Sequence, residues 1–240
     1  SGGRNWTDSP NGTGPFRLVE WQEDELLVLE RSEGYHGEPA KLHRVYYNIF
    51  GGRPVTMYEE GRIDMAGVSV LDVERATDPA NPLSEELAVG STFCTRYLAF
   101  NVTIPPFDDH SVRHAFAVSL DVDLMVDVAL KETADRAVGM VPPGMPGHDE
   151  SLEAPVFDPE QARRLLAESR HGQDTAPIVS FAGDSAMHWM WEEYLGVEIE
   201  AVSLPEVQDY FDRLDAGELP LWATTWCADY PDPQNFLEVL

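Results

Sequence analysis

The first part of the chain alternates apolar and polar residues with a period of two, which is the pattern of half-buried β-strands. The predicted strands cover residues 16–21, 26–31 and 42–49. The acidic run at residues 22–25 is expected to form the tip of a hairpin between the first two strands. Short helices are predicted over residues 54–61 and 70–76. This part of the chain is therefore expected to be a mixed sheet with small helices.

The pattern changes after the proline-rich residues 79–82, where strands are predicted around residues 86–90 and over residues 94–101. Three helices are then predicted to begin at an aspartate, because each aspartate precedes apolar residues at helical spacing. These caps, with the residues they place on the inner face, are Asp109 with Val112, Ala115 and Phe116; Asp121 with Leu124, Met125 and Val128; and Asp158 with Ala162, Leu165 and Leu166.

Strands and helices alternate in the last quarter of the chain, which is typical of an α/β layer structure with a partly parallel sheet. The predicted strands cover residues 177–182, 197–203 and 219–226, and the predicted helices cover residues 185–195 and 205–216. A boundary near residue 93 separates this α/β part from the strand-rich first part. We therefore expect two domains, over residues 1–93 and 94–240.

The charge of the chain narrows the range of partners. Its 43 acidic residues against 16 lysines and arginines give a formal net charge of −27, which repels phosphate backbones and anionic head groups. Nucleic acid is therefore excluded as a partner. The sequence also lacks a run of roughly 20 apolar residues, the length needed to span a bilayer.

The cysteines and histidines indicate no metal site. Cys94 and Cys227 are too far apart for a CxxC pair, and counting leaves open whether they are two buried thiols or one long-range disulfide. His110 and His114 stand at i,i+4 spacing on a predicted helix and could bind a metal, but such pairs more commonly have surface or capping roles. We therefore predict neither a metal nor a cofactor.

Four segments with distinctive residues follow one another along the chain. They are residues 11–16 (NGTGPF) with 27–31 (LVLER) and Tyr35; residues 61–64 (GRID); residues 97–101 (YLAFN) with 105–109 (PPFDD) and 112–115 (VRHA); and residues 226–233 (WCADYPDP). In this order they resemble the oligopeptide- and dipeptide-binding proteins that serve ATP-driven importers. The resemblance extends from about residue 11 to residue 240.

This resemblance implies a periplasmic-binding-protein-like bilobal α/β fold of the large peptide-binding class (type II), with mixed sheets flanked by helices. Members of the family are about twice this length, so the fold is expected to be incomplete. Residues 1–93 are then part of the first lobe, and residues 94–240 are most of the second. The two lobes close over a ligand by a hinge motion.

The implied function is that of the solute-binding component of an ABC importer. Such a protein captures a peptide between its lobes outside the cytoplasm and delivers it to a membrane permease. It acts as a monomer and needs no catalytic residue. The same family also has members that bind nickel chelates, haem or oligosaccharides, and these remain alternatives because the pocket decides the ligand.

The resemblance also implies roles for individual residues. Asp229 matches the aspartate that pairs with the ammonium group of a bound peptide, while Trp226 and Tyr97 match aromatic residues that line the cleft. Cys94 and Cys227 match a disulfide found in a subgroup of the family, which places Cys227 beside the ligand. Some peptide binders carry an arginine just before the tryptophan, but this chain has residues 223–225 (ATT) there. Either the ligand carboxylate is met by another group, such as Arg96, or the ligand is longer or has no carboxylate there, so specificity for dipeptides is not expected.

A different class of function, an extracellular hydrolase that uses two carboxylates, has less support. Close pairs of acidic residues arise by chance among 43 acidic residues, and the sequence contains no GxSxG elbow, Cys–His nucleophile pattern or zinc motif. We therefore predict that the protein is not an enzyme.

Overall fold

The computed structural model describes residues 10, 12–49, 51–131, 133–172, 177–181, 185–204 and 206–238. The predictions that concern Asn11, Ala182 and Pro205 lie outside these residues. The chain divides into two compact units, the first ending at Ser84 and the second beginning at Glu85. The assignment of lobes with a boundary near residue 93 stays a prediction.

The first unit contains a three-stranded antiparallel sheet in the order β1-β2-β3. Its strands are β1 (Phe16–Gln22), β2 (Leu26–Arg31) and β3 (Arg44–Asn48). A bulge between Leu18 and Glu20 shifts the register of β1 against β2. The turn before β2 includes Asp24 at a φ of 60°, a left-handed conformation that aspartate tolerates. The three predicted strands and the acidic hairpin tip are thus confirmed. The expectation of a mixed sheet is wrong for these strands, because consecutive strands joined by short connections pair antiparallel throughout.

Short helices complete the first unit. They are α1 (Pro54–Glu59) and α2 (Val73–Thr77), and a third helix, α3 (Leu83–Glu86), contains the division between the two units. The carboxylate of Asp72, which precedes α2, is nearly buried and is paired at 2.8 Å with Arg53. The strand predicted around residues 86–90 is wrong, because α3 extends to Glu86 and residues 87–90 are in neither a helix nor a strand. Val89 is 87% exposed, so no apolar surface holds this segment in a sheet.

The second unit is built around short strands of a mixed sheet. They are β4 (Cys94–Phe100), β5 (Ile178–Ser180), β6 (Ile199–Ala201) and β7 (Leu221–Cys227). β4 pairs with β7 antiparallel, and β5 pairs with β6 parallel. The N–H of Phe181 donates to the carbonyl of Leu221 and joins the two pairs. The predicted, partly parallel sheet is therefore confirmed.

Helices surround these strands. They are α4 (His110–Val118), α5 (Val122–Leu124), α6 (Pro159–Glu168), α7 (Ser185–Leu195), α8 (Val207–Asp215) and α9 (Gln234–Leu237). The three predicted aspartate caps are confirmed, because the carboxylates of Asp109, Asp121 and Asp158 each accept a backbone N–H in the first turn. No helix within the described residues is long and apolar enough to cross a membrane.

The core of the second unit lies between one face of the sheet and helices α4, α6 and α7. Trp191 is fully buried there, and its indole N–H donates to the carbonyl of Phe116 at 3.1 Å. The inner face predicted for the Asp121 helix is wrong in part, since Leu124 and Val128 are 45% and 66% exposed. The helix gives way after one turn to a π-helical turn over Met125–Ala129, whose wider spacing breaks the expected alignment of these residues on one face.

Candidate functional site

Two antiparallel strands, β4 and β7, carry most of the predicted site residues. Their register places Cys94 opposite Cys227. The N–H of Ala228 donates to the carbonyl of Phe93 at 2.8 Å, so the two cysteines occupy the neighbouring position without mutual hydrogen bonds, where opposing residues approach most closely. Their Cα atoms are 4.0 Å apart and the side chains form a disulfide. The disulfide that the resemblance implies is thus present, at the end of the strand pair.

The register also divides the predicted site residues between two faces of the sheet. Successive side chains in a strand point to opposite faces, and directly opposed residues share a face. Tyr97 is therefore on the face of Trp226, whereas Arg96 is on the face of Cys227. The face with Arg96 continues into the core of the second unit through Leu98. A ligand on one face would contact Tyr97 and Trp226, and a ligand on the other face would contact Arg96 and Cys227. Only a ligand that lies across the strand ends could contact both pairs.

Trp226 and Asp229 are connected through the side chain of Asn235, near the start of α9. The indole N–H of Trp226 donates to Oδ1 of Asn235 at 2.9 Å. The backbone N–H of Asp229 donates to the same oxygen at 3.2 Å. Asn235 is 1% exposed. One buried amide oxygen therefore holds both the aromatic ring and the turn that carries the carboxylate.

A small apolar cluster supports this arrangement. Its buried members are Val141, Met145 and Phe236, with Phe93, Trp226 and Ala228 packed against them. The hydroxyl of Thr95 donates to the carbonyl of Met140 at 2.9 Å, which attaches the segment that contains Met140 and Val141 to β4. The cluster adjoins a cavity of about 170 Å³ that is lined by Val138, Gly139, Met140, Val141, Gly147, His148, Asp149, Leu152 and Leu237.

Tyr97 lies partly buried in the middle of β4. Burial raises the pKa of its phenol, so the hydroxyl keeps its proton at neutral pH and can donate a hydrogen bond. Tyr210 of α8 lies close enough that its own pKa, raised mainly by burial, also responds to Tyr97. The side chain of Tyr210 therefore lies near Tyr97 on this face of the strand pair.

Asp229 itself is exposed in this chain, as is Arg96. The carboxylate of Asp229 follows the end of β7 by two residues, in a segment that continues through Pro233 into α9. An exposed carboxylate can meet a charged ligand without first breaking a buried ion pair. The ligand-binding roles of Asp229, Trp226, Cys227, Tyr97 and Arg96 stay predictions.

The ring centroids of His110 and His114, the histidine pair on α4, are 6.0 Å apart. Across the part of the chain that the structure describes, no group of three or more His, Cys, Asp or Glu side chains could hold a metal ion.

Sequence reasoning missed Asn235. The residue lies shortly after the WCADYPDP segment and precedes two apolar residues, a pattern that indicates no functional role. A buried asparagine requires hydrogen-bond partners, but the sequence does not reveal that it is buried. Only the return of α9 onto the strand ends brings it to Trp226 and Asp229.

Comparison with known families identifies the group to which the chain belongs. The family model described as "Bacterial extracellular solute-binding proteins, family 5 Middle" matches residues 2–240. The chain is therefore a member of this extracellular solute-binding family. The predicted family and extracytoplasmic location are confirmed.

Individual relatives agree with this assignment. The periplasmic oligopeptide-binding protein OppA of Escherichia coli is 27% identical over 99% of this chain and 47% of its own length. Heme-binding protein A of Haemophilus influenzae is 27% identical over 96% of this chain and 44% of its own length. The chain thus spans about half the length of these curated relatives.

A solved structure agrees with the predicted fold. The periplasmic binding protein DppA of Helicobacter pylori, in complex with the peptide STSA, matches 95% of this chain and 46% of its own chain with a TM-score of 0.78 and 23% identity. The predicted periplasmic-binding-protein-like α/β fold is therefore confirmed, and the chain represents about half of it.

Proposed function

We propose that the complete protein is the solute-binding component of an ABC importer, and that it captures a peptide with a free α-amino group. The observation that carries this proposal is the cluster at the end of β7. There an exposed carboxylate, a partly buried indole and a disulfide meet within four consecutive residues, from Trp226 to Asp229. Membership of the solute-binding family and the resemblance to OppA support the same function.

The chemistry assigns one role to each part of this cluster. The carboxylate of Asp229 pairs with the ammonium group of the peptide, and Trp226 and Tyr97 offer flat apolar surface to the peptide backbone. An exposed ion pair contributes only about 0–1 kcal/mol. Closure over the ligand excludes water, and removal of one partner from a buried charge pair costs about 2–5 kcal/mol. Most of the affinity therefore depends on closure.

The partners follow from this function. The peptide is released chemically unchanged, so the protein is not an enzyme, and the liganded form docks on a membrane permease. It acts as a monomer, without cofactor or nucleic acid. A ligand carboxylate is met by Arg96 only if the peptide extends across the strand ends, because Arg96 and Trp226 lie on opposite faces.

A calorimetric titration of the complete protein with trialanine and N-acetyl-trialanine tests the role of Asp229. We expect trialanine to bind more tightly, and the Asp229→Asn variant to lose at least about thirtyfold for trialanine, the equivalent of about 2 kcal/mol. The same substitution should change the affinity for the acetylated peptide much less. Equal affinities of the unmodified protein for both peptides would refute the ammonium-pairing role.

The relationship to Heme-binding protein A favours a second candidate, a non-peptide ligand in the same cleft. Native mass spectrometry of the complete protein purified from its host separates the two. A mixture of co-purified peptides supports the main proposal, whereas a single defined non-peptide mass supports the second. Turnover of a glycoside or ester by the purified protein would overturn both.

A further inference from the structure

We propose that Asn235 is the positioning residue of the ligand site, which sets the geometry of Asp229 and Trp226 together. This inference rests on the proposed function and adds a residue to it. Asn235 is not expected to touch the ligand. It acts through the two groups that donate hydrogen bonds to it.

The hydrogen bonds fix the orientation of the amide. The indole N–H of Trp226 and the backbone N–H of Asp229 are both donors and cannot accept. The atom that faces them, at 2.9 and 3.2 Å, must therefore be the amide oxygen of Asn235. A carbonyl oxygen has two lone pairs, so this single atom satisfies both donors.

The position of Asn235 makes this contact specific. It is 1% exposed and lies beside Phe236, which is also buried. A buried amide is not free to exchange its partners for water, so losing the oxygen leaves two N–H groups without an acceptor. Because Trp226 and Asp229 share one acceptor, a shift of α9 would move the ring and the turn together.

The neighbouring side chains do not duplicate this role. The adjacent Gln234 is exposed, and its amide donates outward to Glu238 at 2.8 Å. The disulfide fixes Cys227 against Cys94 but lies on the opposite face from Trp226. It therefore restrains the strand end without orienting the indole.

The test compares Asn235→Leu, which keeps similar volume but removes the acceptor, with Gln234→Ala as the matched control. In ¹H–¹⁵N spectra of the 240-residue chain, Asn235→Leu should shift the indole N–H signal of Trp226 and the amide signal of Asp229. It should also increase the hydrogen-exchange rates of both groups. Gln234→Ala should leave both signals and both rates unchanged.

Ligand affinity provides the functional measurement on the complete protein. We expect Asn235→Leu to reduce the preference for trialanine over N-acetyl-trialanine about tenfold, the equivalent of one hydrogen bond. A variant that loses only stability would bind both peptides more weakly by the same factor. The proposal is overturned if folded Asn235→Leu keeps the unmodified protein's preference between the two peptides, or if it behaves like Gln234→Ala in the spectra.

Two further outcomes remain decisive. If Asn235→Leu does not fold, the unmodified chain still tests the inference, because the two N–H groups must exchange more slowly than exposed amides. Rapid exchange of both groups would overturn it. If the unmodified protein binds neither peptide, the proposed function fails, and the ligand role of Asn235 fails with it. Slow exchange of the Trp226 indole N–H and the Asp229 amide would still show that their hydrogen bonds to Asn235 exist.

Discussion

Removal of the disulfide should destabilise the second unit while leaving the first unit unchanged. The bond closes a loop between cysteines 133 positions apart, which corresponds to about 5 kcal/mol of loop-closure entropy as an upper value. Measured losses for a single native disulfide are commonly about 2–4 kcal/mol. Both cysteines lie within the unit that begins at Glu85. The double substitution Cys94→Ser and Cys227→Ser should therefore reduce the stability of that unit alone.

Hydrogen–deuterium exchange with mass spectrometry measures this effect in both units of one sample. Peptides from β4 and β7 should show an opening free energy lower by about 2–4 kcal/mol in the double variant. Peptides from the sheet of the first unit serve as the internal control. Dithiothreitol should reproduce the effect in the unmodified chain and change nothing in the variant. A loss below about 1 kcal/mol, or an equal loss in both units, would refute this reasoning.

Three other predictions concern the second unit and the charge of the chain. Asp109→Ala should cost about 1–2 kcal/mol of stability in urea unfolding at pH 7, because this carboxylate caps α4 and also accepts the N–H of Arg170; Asp121→Ala, which caps only the single turn of α5, should cost less. Hydrogen bonds from the backbone of Arg170 and then Ser111 lower the pKa of Asp109 from its ordinary value of 3.8. The stability that its charge supplies is therefore complete above that pH and is lost as the pH falls through the lowered folded-state value. Unfolding midpoints of Asp109→Ala that fall in parallel with those of the unmodified chain below pH 3.8 would contradict this. Trp191→Ala should lower the free energy of unfolding by about 3–5 kcal/mol, since the ring is fully buried against Phe116. Substitution of the exposed Trp189 by alanine should lower it by less than about 1 kcal/mol. Similar losses for the two variants would contradict this description of the core. The net charge of −27 predicts a melting temperature that rises with sodium chloride, because salt screens repulsion within the folded chain, and a melting temperature independent of salt would argue against it.

The division of site residues between two faces bears on the kind of ligand that the protein accepts. Tyr97 and Trp226 offer aromatic surface on one face, while Arg96 is on the other with the disulfide. The segment before Trp226 also lacks an arginine. A short peptide held at Asp229 over the aromatic face would therefore not reach Arg96. We expect the site to tolerate peptides of different lengths, with recognition concentrated at their amino end.

Local features of the sequence determined where most elements lie. The alternation at residues 16–31 predicted β1, the acidic tip and β2, because burial on one face of a sheet imposes that period. Asp109, Asp121 and Asp158 predicted helix starts correctly, because each carboxylate bonds to an N–H only two or three residues away. Such contacts depend on neighbouring residues alone and can be recognised without a fold.

The site depended on contacts between distant parts of the chain. The sequence by itself allowed two free thiols, and only the resemblance and then the pairing of β4 with β7 joined Cys94 to Cys227. The same register separated Arg96 from Tyr97. The burial of Asn235 arises because α9 folds back onto the strand ends, and no local pattern specifies which polar residue such a return encloses. Tertiary structure alone decided these features, because they result from the packing of surfaces that are far apart in the sequence.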